Sequence, residues 1–109
     1  MKKGDIYLVE IPFLGGHEQE GTRPAIILAD TATPVIVIIP CTSNTHALRF
    51  PFTLRIENSK SNGFKESSIA LTFHLRSIDK SRLKKKIGSL ETKYVQQLNK
   101  MIKQLLDIK

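Results

Sequence analysis

The chain has 109 residues, of which 40% are hydrophobic, and a formal net charge of +7. Its length suits one compact domain spanning residues 1–109, and its longest apolar run, Pro34–Cys41, is far short of the ~20 residues of a membrane-spanning helix. The opening residues MKKGD do not form a secretory leader, and the single cysteine excludes an internal disulfide, so we expect a cytoplasmic protein without membrane contact. One cysteine and three dispersed histidines do not form a zinc-binding pattern, so we expect no metal.

The positive charge lies in the C-terminal part of the chain. Residues 80–109 carry nine basic and two acidic side chains, whereas the charges of residues 1–79 balance. This asymmetry favours a polyanionic partner, either nucleic acid or an acidic protein segment. A lysine-rich surface that only maintains solubility explains the charge as well.

In chain order, alternating residues at 4–11 predict a first strand, and the polar loop GHEQEGTRP follows at 16–24. PAIILA (24–29) and VIVIIP (35–40) are apolar throughout, which is typical of strands covered on both faces. Only the short segment 30–34 separates them, so we expect a hairpin.

Residues 52–56 predict a fourth strand, and Asn62-Gly63 indicates a turn in the loop that follows. Ser68–Ser77 alternates between apolar and polar residues and predicts one continuous strand, with Phe73 on the apolar face and His74 on the polar face. After a bend at 78–82 and a last strand at 83–88, helical periodicity begins near Glu91. The pattern predicts a small curled antiparallel sheet or barrel, mainly β, with a C-terminal helix packed on it.

Several segments together resemble the MazF/PemK family of toxins. The loop GHEQEGTRP is the most specific match, and the order and spacing of the others strengthen it. The matching segments are GDIY (4–7), GHEQEGTRP (16–24), PCTS (40–43), FPF (50–52) and LRSIDKSRL (75–83).

The resemblance implies an SH3-like (CcdB/MazF-type) antiparallel β-barrel and a symmetric homodimer. It also implies the toxin of a type II toxin–antitoxin system, a sequence-specific endoribonuclease that cuts single-stranded mRNA without a metal or other cofactor. Its further partner would be a cognate antitoxin whose acidic tail occupies the active groove.

Cleavage by the ribose 2′-hydroxyl needs proton transfer and donors that offset charge on the phosphate oxygens. The resemblance and this chemistry select three catalytic candidates. Arg23 would bind phosphate oxygens through its planar guanidinium group. The hydroxyl of Thr42 would donate a hydrogen bond from the end of a strand or cap a turn. His17 would transfer a proton or only support the loop.

Five further residues are expected to contact RNA, and other roles stay open for some of them: His74 could instead carry a proton or have no function. Arg76 would bind phosphate or form an ion pair with Asp79 or Glu66. Phe52 would stack on a base or pack in the core. Many relatives carry a carboxylate and an amide where this chain has Phe73 and His74, so a mechanism that depends on that carboxylate does not transfer. The five candidates are Gln19, Ser43, Phe52, His74 and Arg76.

Two other functions remain open from the sequence. One is a relative that still binds RNA or antitoxin but no longer cuts, because the carboxylate at position 73 is missing. The other is a non-enzymatic inhibitor with the same fold, like the gyrase poison CcdB. CcdB lacks the Arg-Pro and Thr-Ser pairs at positions 23–24 and 42–43 of this chain.

Overall fold

The computed structural model describes residues 1–11 and 21–109. Seven strands and one helix form its framework, and three short 3₁₀ turns lie between strands. The strands are β1 (Asp5–Ile11), β2 (Gly21–Asp30), β3 (Val35–Thr42), β4 (Thr53–Ile56), β5 (Ser68–Leu71), β6 (Arg76–Asp79) and β7 (Leu83–Ser89), and the helix is α1 (Thr92–Leu105). The 3₁₀ turns span Thr45–Arg49, Thr72–His74 and Lys80–Arg82.

All strand pairs are antiparallel, in the order β4-β5-β3-β2-β1-β7, with β6 also paired to β3. The β2–β3 hairpin predicted from the sequence is confirmed. The mainly antiparallel β class with a C-terminal helix is also confirmed, although the ladder is not closed into a complete barrel: β4 and β7 are its two ends in the described part of the chain. No helix among the described residues is long and apolar enough to span a membrane.

Strand β3 is the centre of the sheet and has different partners along its length. On one side it pairs with β2 until Ala25 lies opposite Pro40. On the other side it pairs with β6 over residues 35–38 and then with β5 through Cys41 and Thr42. Because proline lacks an N–H group to donate, pairing with β2 stops naturally at Pro40. The first residues of β2 and the last residues of β3 therefore border an opening at the same end of the sheet.

The continuous apolar sequences of β2 and β3 are explained by burial on both faces of the sheet. Ile26 and Ile39 belong to the core beneath α1, whereas their neighbours Ile27 and Ile38 belong to a second core on the opposite face. All four side chains are at most 1% exposed. A strand covered on both faces needs apolar residues at every position rather than at alternate ones.

The C-terminal helix begins at Thr92, as its periodicity predicts, and packs on the first core through Tyr94 and Leu98. The Tyr94 hydroxyl accepts a hydrogen bond from the backbone N–H of Glu57 at 3.1 Å. The helix thus stabilises the loop between β4 and β5 as well as the sheet.

The prediction of one strand over Ser68–Ser77 is wrong. The structure divides this segment into β5 and β6, separated by the turn Thr72–His74. The two strands pair with different ends of β3, so the chain has to change direction between them. The three-residue period of a 3₁₀ turn breaks the alternation of faces, and Phe73, predicted on the apolar face, is 37% exposed.

The loop between β4 and β5 is held by a buried asparagine. The Asn62 side chain is fully buried; its oxygen accepts from the N–H groups of Ser59 and Phe64, and its amide donates to Glu57 O and Glu91 Oε1. Burial works against the charge on Glu91, but hydrogen bonds from its own backbone, Ser59 and Asn62 together lower the pKa of its carboxyl. A satisfied buried polar network of this kind favours a single loop conformation.

Candidate active site

A pocket of about 480 Å³ lies at the end of the sheet where β2 and β3 separate. Arg23 and Thr42 both line it, from the start of β2 and the end of β3. Its remaining described wall is formed by the loop that leads into β5, including Phe64, by Ser68 at the start of β5, and by side chains of β1 and β7. The sequence-based expectation that residues 23 and 42 converge on one concave surface therefore agrees with the structure.

Arg23 lies in a strand, which corrects the interpretation of residues 16–24 as one loop. β2 begins at Gly21, and Arg23 pairs with Val9 of β1, so its backbone is fixed on that side. The side chain is partly buried and faces the pocket. An arginine on a paired strand loses less conformational freedom on binding phosphate than one on a loop tip.

Thr42 is the last residue of β3 and is 7% exposed. Its hydroxyl oxygen accepts a hydrogen bond from the backbone N–H of Asn44 at 3.2 Å, which is the turn-capping role considered from the sequence. A hydroxyl that accepts one hydrogen bond still has its own proton to donate. The turn therefore fixes the hydroxyl oxygen and leaves the proton for a ligand in the pocket.

Ser43 and Cys41, on either side of Thr42, differ in what they offer to the pocket. Ser43 is exposed and lines it, as the sequence predicts. Burial raises the pKa of the Cys41 thiol to about 12, so this side chain stays protonated and is no thiolate nucleophile at neutral pH. Besides the Arg23 guanidinium and several hydroxyls, the described lining offers the ammonium of Lys65 and the carboxylate of Glu66.

The remaining predicted residues are not among the described residues that line this pocket. His17 and Gln19 lie outside the described residues. Phe52 precedes β4 with a positive φ of 57°, and its carbonyl accepts from Thr72 N–H at 3.0 Å. Arg76 lies on β6 opposite Ile38. Neither of these two residues is among the described residues that line the pocket.

His74 lines a second pocket, of about 620 Å³, which adjoins the first through Thr42. Its wall includes Phe50 and Phe73, which are 43% and 37% exposed. Arg49 also lines it, and its guanidinium carbon lies 4.8 Å from the centroid of the Phe50 ring. Phe73 and Arg49 were not predicted as contact residues. The one sequence signal for them is that position 73 carries a phenylalanine where many relatives have a carboxylate.

The basic side chains of β7 and of the turn before it are partly neutralised by carboxylates of β1. Arg82 and Lys84 lie 3.1 and 3.6 Å from the Glu10 carboxylate, and Lys86 lies 3.4 Å from that of Asp5. This strand is therefore a weaker candidate for RNA attraction than its lysine content indicates. The described residues include no group of three or more His, Cys, Asp or Glu placed to hold a metal ion.

The curled sheet with its terminal helix is a fold shared with solved structures of other proteins. The crystal structure of MazF from Deinococcus radiodurans superimposes with a TM-score of 0.83 at 24% identity, covering 99% of this chain and 97% of that one. A mycobacterial endoribonuclease in complex with its cognate antitoxin gives a TM-score of 0.75 at 14% identity, covering 98% and 95%.

The sequence comparisons then give the family. The chain is 34% identical over 106 residues to the endoribonuclease MazF of Staphylococcus saprophyticus, covering 94% of this chain and 88% of that protein. The profile of the PemK-like, MazF-like toxins of type II toxin–antitoxin systems matches residues 2–106. The chain belongs to this toxin family, and the resemblance inferred from its motifs is confirmed.

Proposed function

We propose that this chain is a sequence-specific endoribonuclease that cuts single-stranded RNA, with mRNA as its cellular substrate. The observation that carries the proposal is that Arg23 and Thr42 line the same pocket. A guanidinium and a hydroxyl on one concave surface suit a phosphodiester, because both donate to oxygens that gain negative charge during cleavage. The likeness to the staphylococcal endoribonuclease MazF supports the same activity.

In the proposed reaction, the ribose 2′-oxygen attacks the adjacent phosphorus and the 5′-oxygen of the next nucleotide leaves. The products are a 2′,3′-cyclic phosphate and a 5′-hydroxyl. Arg23 binds the non-bridging phosphate oxygens, and Thr42 donates to one of them or orients the 2′-hydroxyl. His17 accepts the 2′-hydroxyl proton, and the departing 5′-oxygen takes up a proton from solvent water to give the 5′-hydroxyl, so charge stabilisation and proton transfer proceed without a metal.

We expect Thr42→Val to lower the cleavage rate about a hundredfold to a thousandfold, since one preorganised donor is lost. Thr42→Ser keeps the hydroxyl and is the matched control, with activity close to that of the unmodified protein. Both rates are measured on one defined RNA under single-turnover conditions. Equal rates for the valine and serine variants would show that the hydroxyl serves only the turn at Asn44.

The proposed role of His17 predicts a pH dependence. Only a neutral imidazole accepts a proton, so the rate should fall as acid protonates this side chain. We expect His17→Ala to cut more slowly and to flatten this acidic limb of the pH–rate profile. An acidic limb of unchanged shape in the variant would exclude His17 from proton transfer.

The proposal includes two protein partners and a location. The antitoxin is a cognate protein whose acidic tail competes for the Arg23 pocket, by analogy with the mycobacterial complex. A second copy of this chain forms the homodimer implied by the family. The protein acts in the cytoplasm, where mRNA is found.

One experiment tests the proposed function directly. Purified protein is incubated with a long single-stranded RNA in excess chelator, and the ends of the fragments are mapped. Discrete fragments with 5′-hydroxyl ends support the proposal. Intact RNA that nevertheless binds the protein would identify a relative that no longer cuts, and intact RNA without binding would favour a non-nuclease inhibitor.

A further inference from the structure

We propose that the second pocket, lined by Phe50, Phe73 and His74, stacks an unpaired nucleobase next to the phosphate held at Arg23 and Thr42. This inference rests on the proposed function, because it names the part of the RNA that the adjoining pocket binds. It assigns a contact role to Phe73, at the position where the residue type departs from the family pattern.

The first argument is the arrangement of the rings. The Phe50 and Phe73 ring centroids lie 5.7 Å apart at an interplanar angle of 55°, and the Phe73 and His74 centroids lie 4.5 Å apart at 41°. Despite these contacts, Phe50 and Phe73 are among the most exposed large hydrophobic residues of the described chain. Exposed aromatic faces are the surfaces on which single-stranded nucleic acids stack their bases.

The second argument is that short turns fix the two phenylalanines in place. Phe73 lies within the turn Thr72–His74, which closes with a hydrogen bond from Leu75 N–H to Thr72 O at 3.1 Å. Phe50 ends the preceding turn, and its N–H donates to Ala47 O at 3.1 Å. Since the backbone on both sides is already fixed, stacking a base costs little additional ordering of the protein.

The third argument is charge. His46 and Arg49 line the pocket, and none of the described lining residues is acidic. A phosphodiester backbone is therefore not repelled there. The Arg49 guanidinium lies over the Phe50 ring at 4.8 Å from its centroid, so a cation borders the aromatic surface and is placed to meet the phosphate of a stacked nucleotide.

The fourth argument is continuity. Thr42 lines both pockets, so the two sites share a wall. An RNA strand whose phosphate binds at Thr42 in the first pocket presents a neighbouring base to the second. This connection favours a nucleobase over an independent protein partner as the occupant.

The test uses RNA oligonucleotides that contain 2-aminopurine at single positions around the mapped cleavage site and a 2′-deoxyribose at the cleaved position, which blocks cleavage, bound to the full-length unmodified protein. Stacking on an aromatic ring quenches 2-aminopurine fluorescence. We expect quenching at one position next to the cleaved bond, and Phe73→Leu should remove it and weaken binding by about tenfold. Phe73→Tyr keeps an aromatic face and should retain both the quenching and the RNA affinity. Phe50→Leu tests the second ring independently and should also lose quenching and affinity.

Leu106→Ala is the matched control, because this residue is also an exposed hydrophobic side chain but follows the C-terminal helix. It should leave affinity and quenching unchanged. Unchanged affinity and quenching in both Phe73→Leu and Phe50→Leu would overturn the inference. The proposed function is tested separately, by whether the unmodified protein cleaves RNA. A lower molecular mass of Phe73→Leu in light scattering, with RNA stacking retained, would also overturn it and identify a self-association surface.

Discussion

Arg23→Ala is expected to reduce RNA cleavage at least about a thousandfold, equivalent to about 4 kcal/mol of transition-state stabilisation. The variant removes the guanidinium that we propose binds two phosphate oxygens at once. Its backbone position is set by pairing with Val9 of β1, so the fold should persist. Single-turnover rates on one RNA, together with thermal unfolding of each variant, measure the two effects separately.

Two other arginine variants serve as controls for this prediction. Arg23→Lys keeps the charge but loses the planar fork, so we expect partial activity. Arg55→Ala removes an exposed arginine of β4 that lies outside the pocket and forms an ion pair with Glu57 at 3.0 Å. This variant should cut at the rate of the unmodified protein. The proposed role would be wrong if Arg23→Ala cut as fast as Arg55→Ala.

Gly63→Ala is expected to destabilise the protein by at least about 3 kcal/mol, which lowers the Tm by more than about 10 °C in a domain of this size. Gly63 has a φ of +75°, and an added Cβ would lie 2.0 Å from the backbone oxygen of Ile87 on β7. The loop would have to move away from the sheet, which would disrupt the hydrogen bond from Ser89 N–H to Ser61 O at 2.9 Å. Thermal and urea-induced unfolding monitored by circular dichroism measure the loss.

Gly21→Ala is a closely matched control for the steric part of this effect. Gly21 also has a positive φ, of +85°, but an added Cβ there meets none of the described atoms within 4 Å. We expect it to cost only the backbone strain, about 1–2 kcal/mol. If the two alanine variants were equally stable, the close approach between Gly63 and Ile87 would not contribute to stability.

These two predictions are linked by the loop between β4 and β5, which forms one wall of the Arg23 pocket. Asn62, Gly63 and Glu91 hold this loop against β7 and the start of the helix, while Phe64 and Ser68 line the pocket. A partial loss of this packing should therefore affect RNA binding as well as stability. Stability and the shape of the proposed active site depend on the same contacts.

Much of the candidate site was predictable because short segments of the chain match a family pattern. The resemblance selected Arg23, Thr42 and Ser43, and all three line one pocket in the structure. The apolar residues of β2 and β3 predicted a buried hairpin, because a strand covered on both faces must be apolar at every position.

Tertiary structure alone decided where β2 and β3 separate and where the segment after β5 bends. The alternation over Ser68–Ser77 predicted one strand, but pairing of β5 and β6 with different ends of β3 requires the turn Thr72–His74. That turn exposes Phe73 beside Phe50, which no local pattern indicates. Local periodicity reports which residues prefer burial, whereas the choice of strand partner depends on residues far apart in the chain, so only the folded protein determines the second pocket.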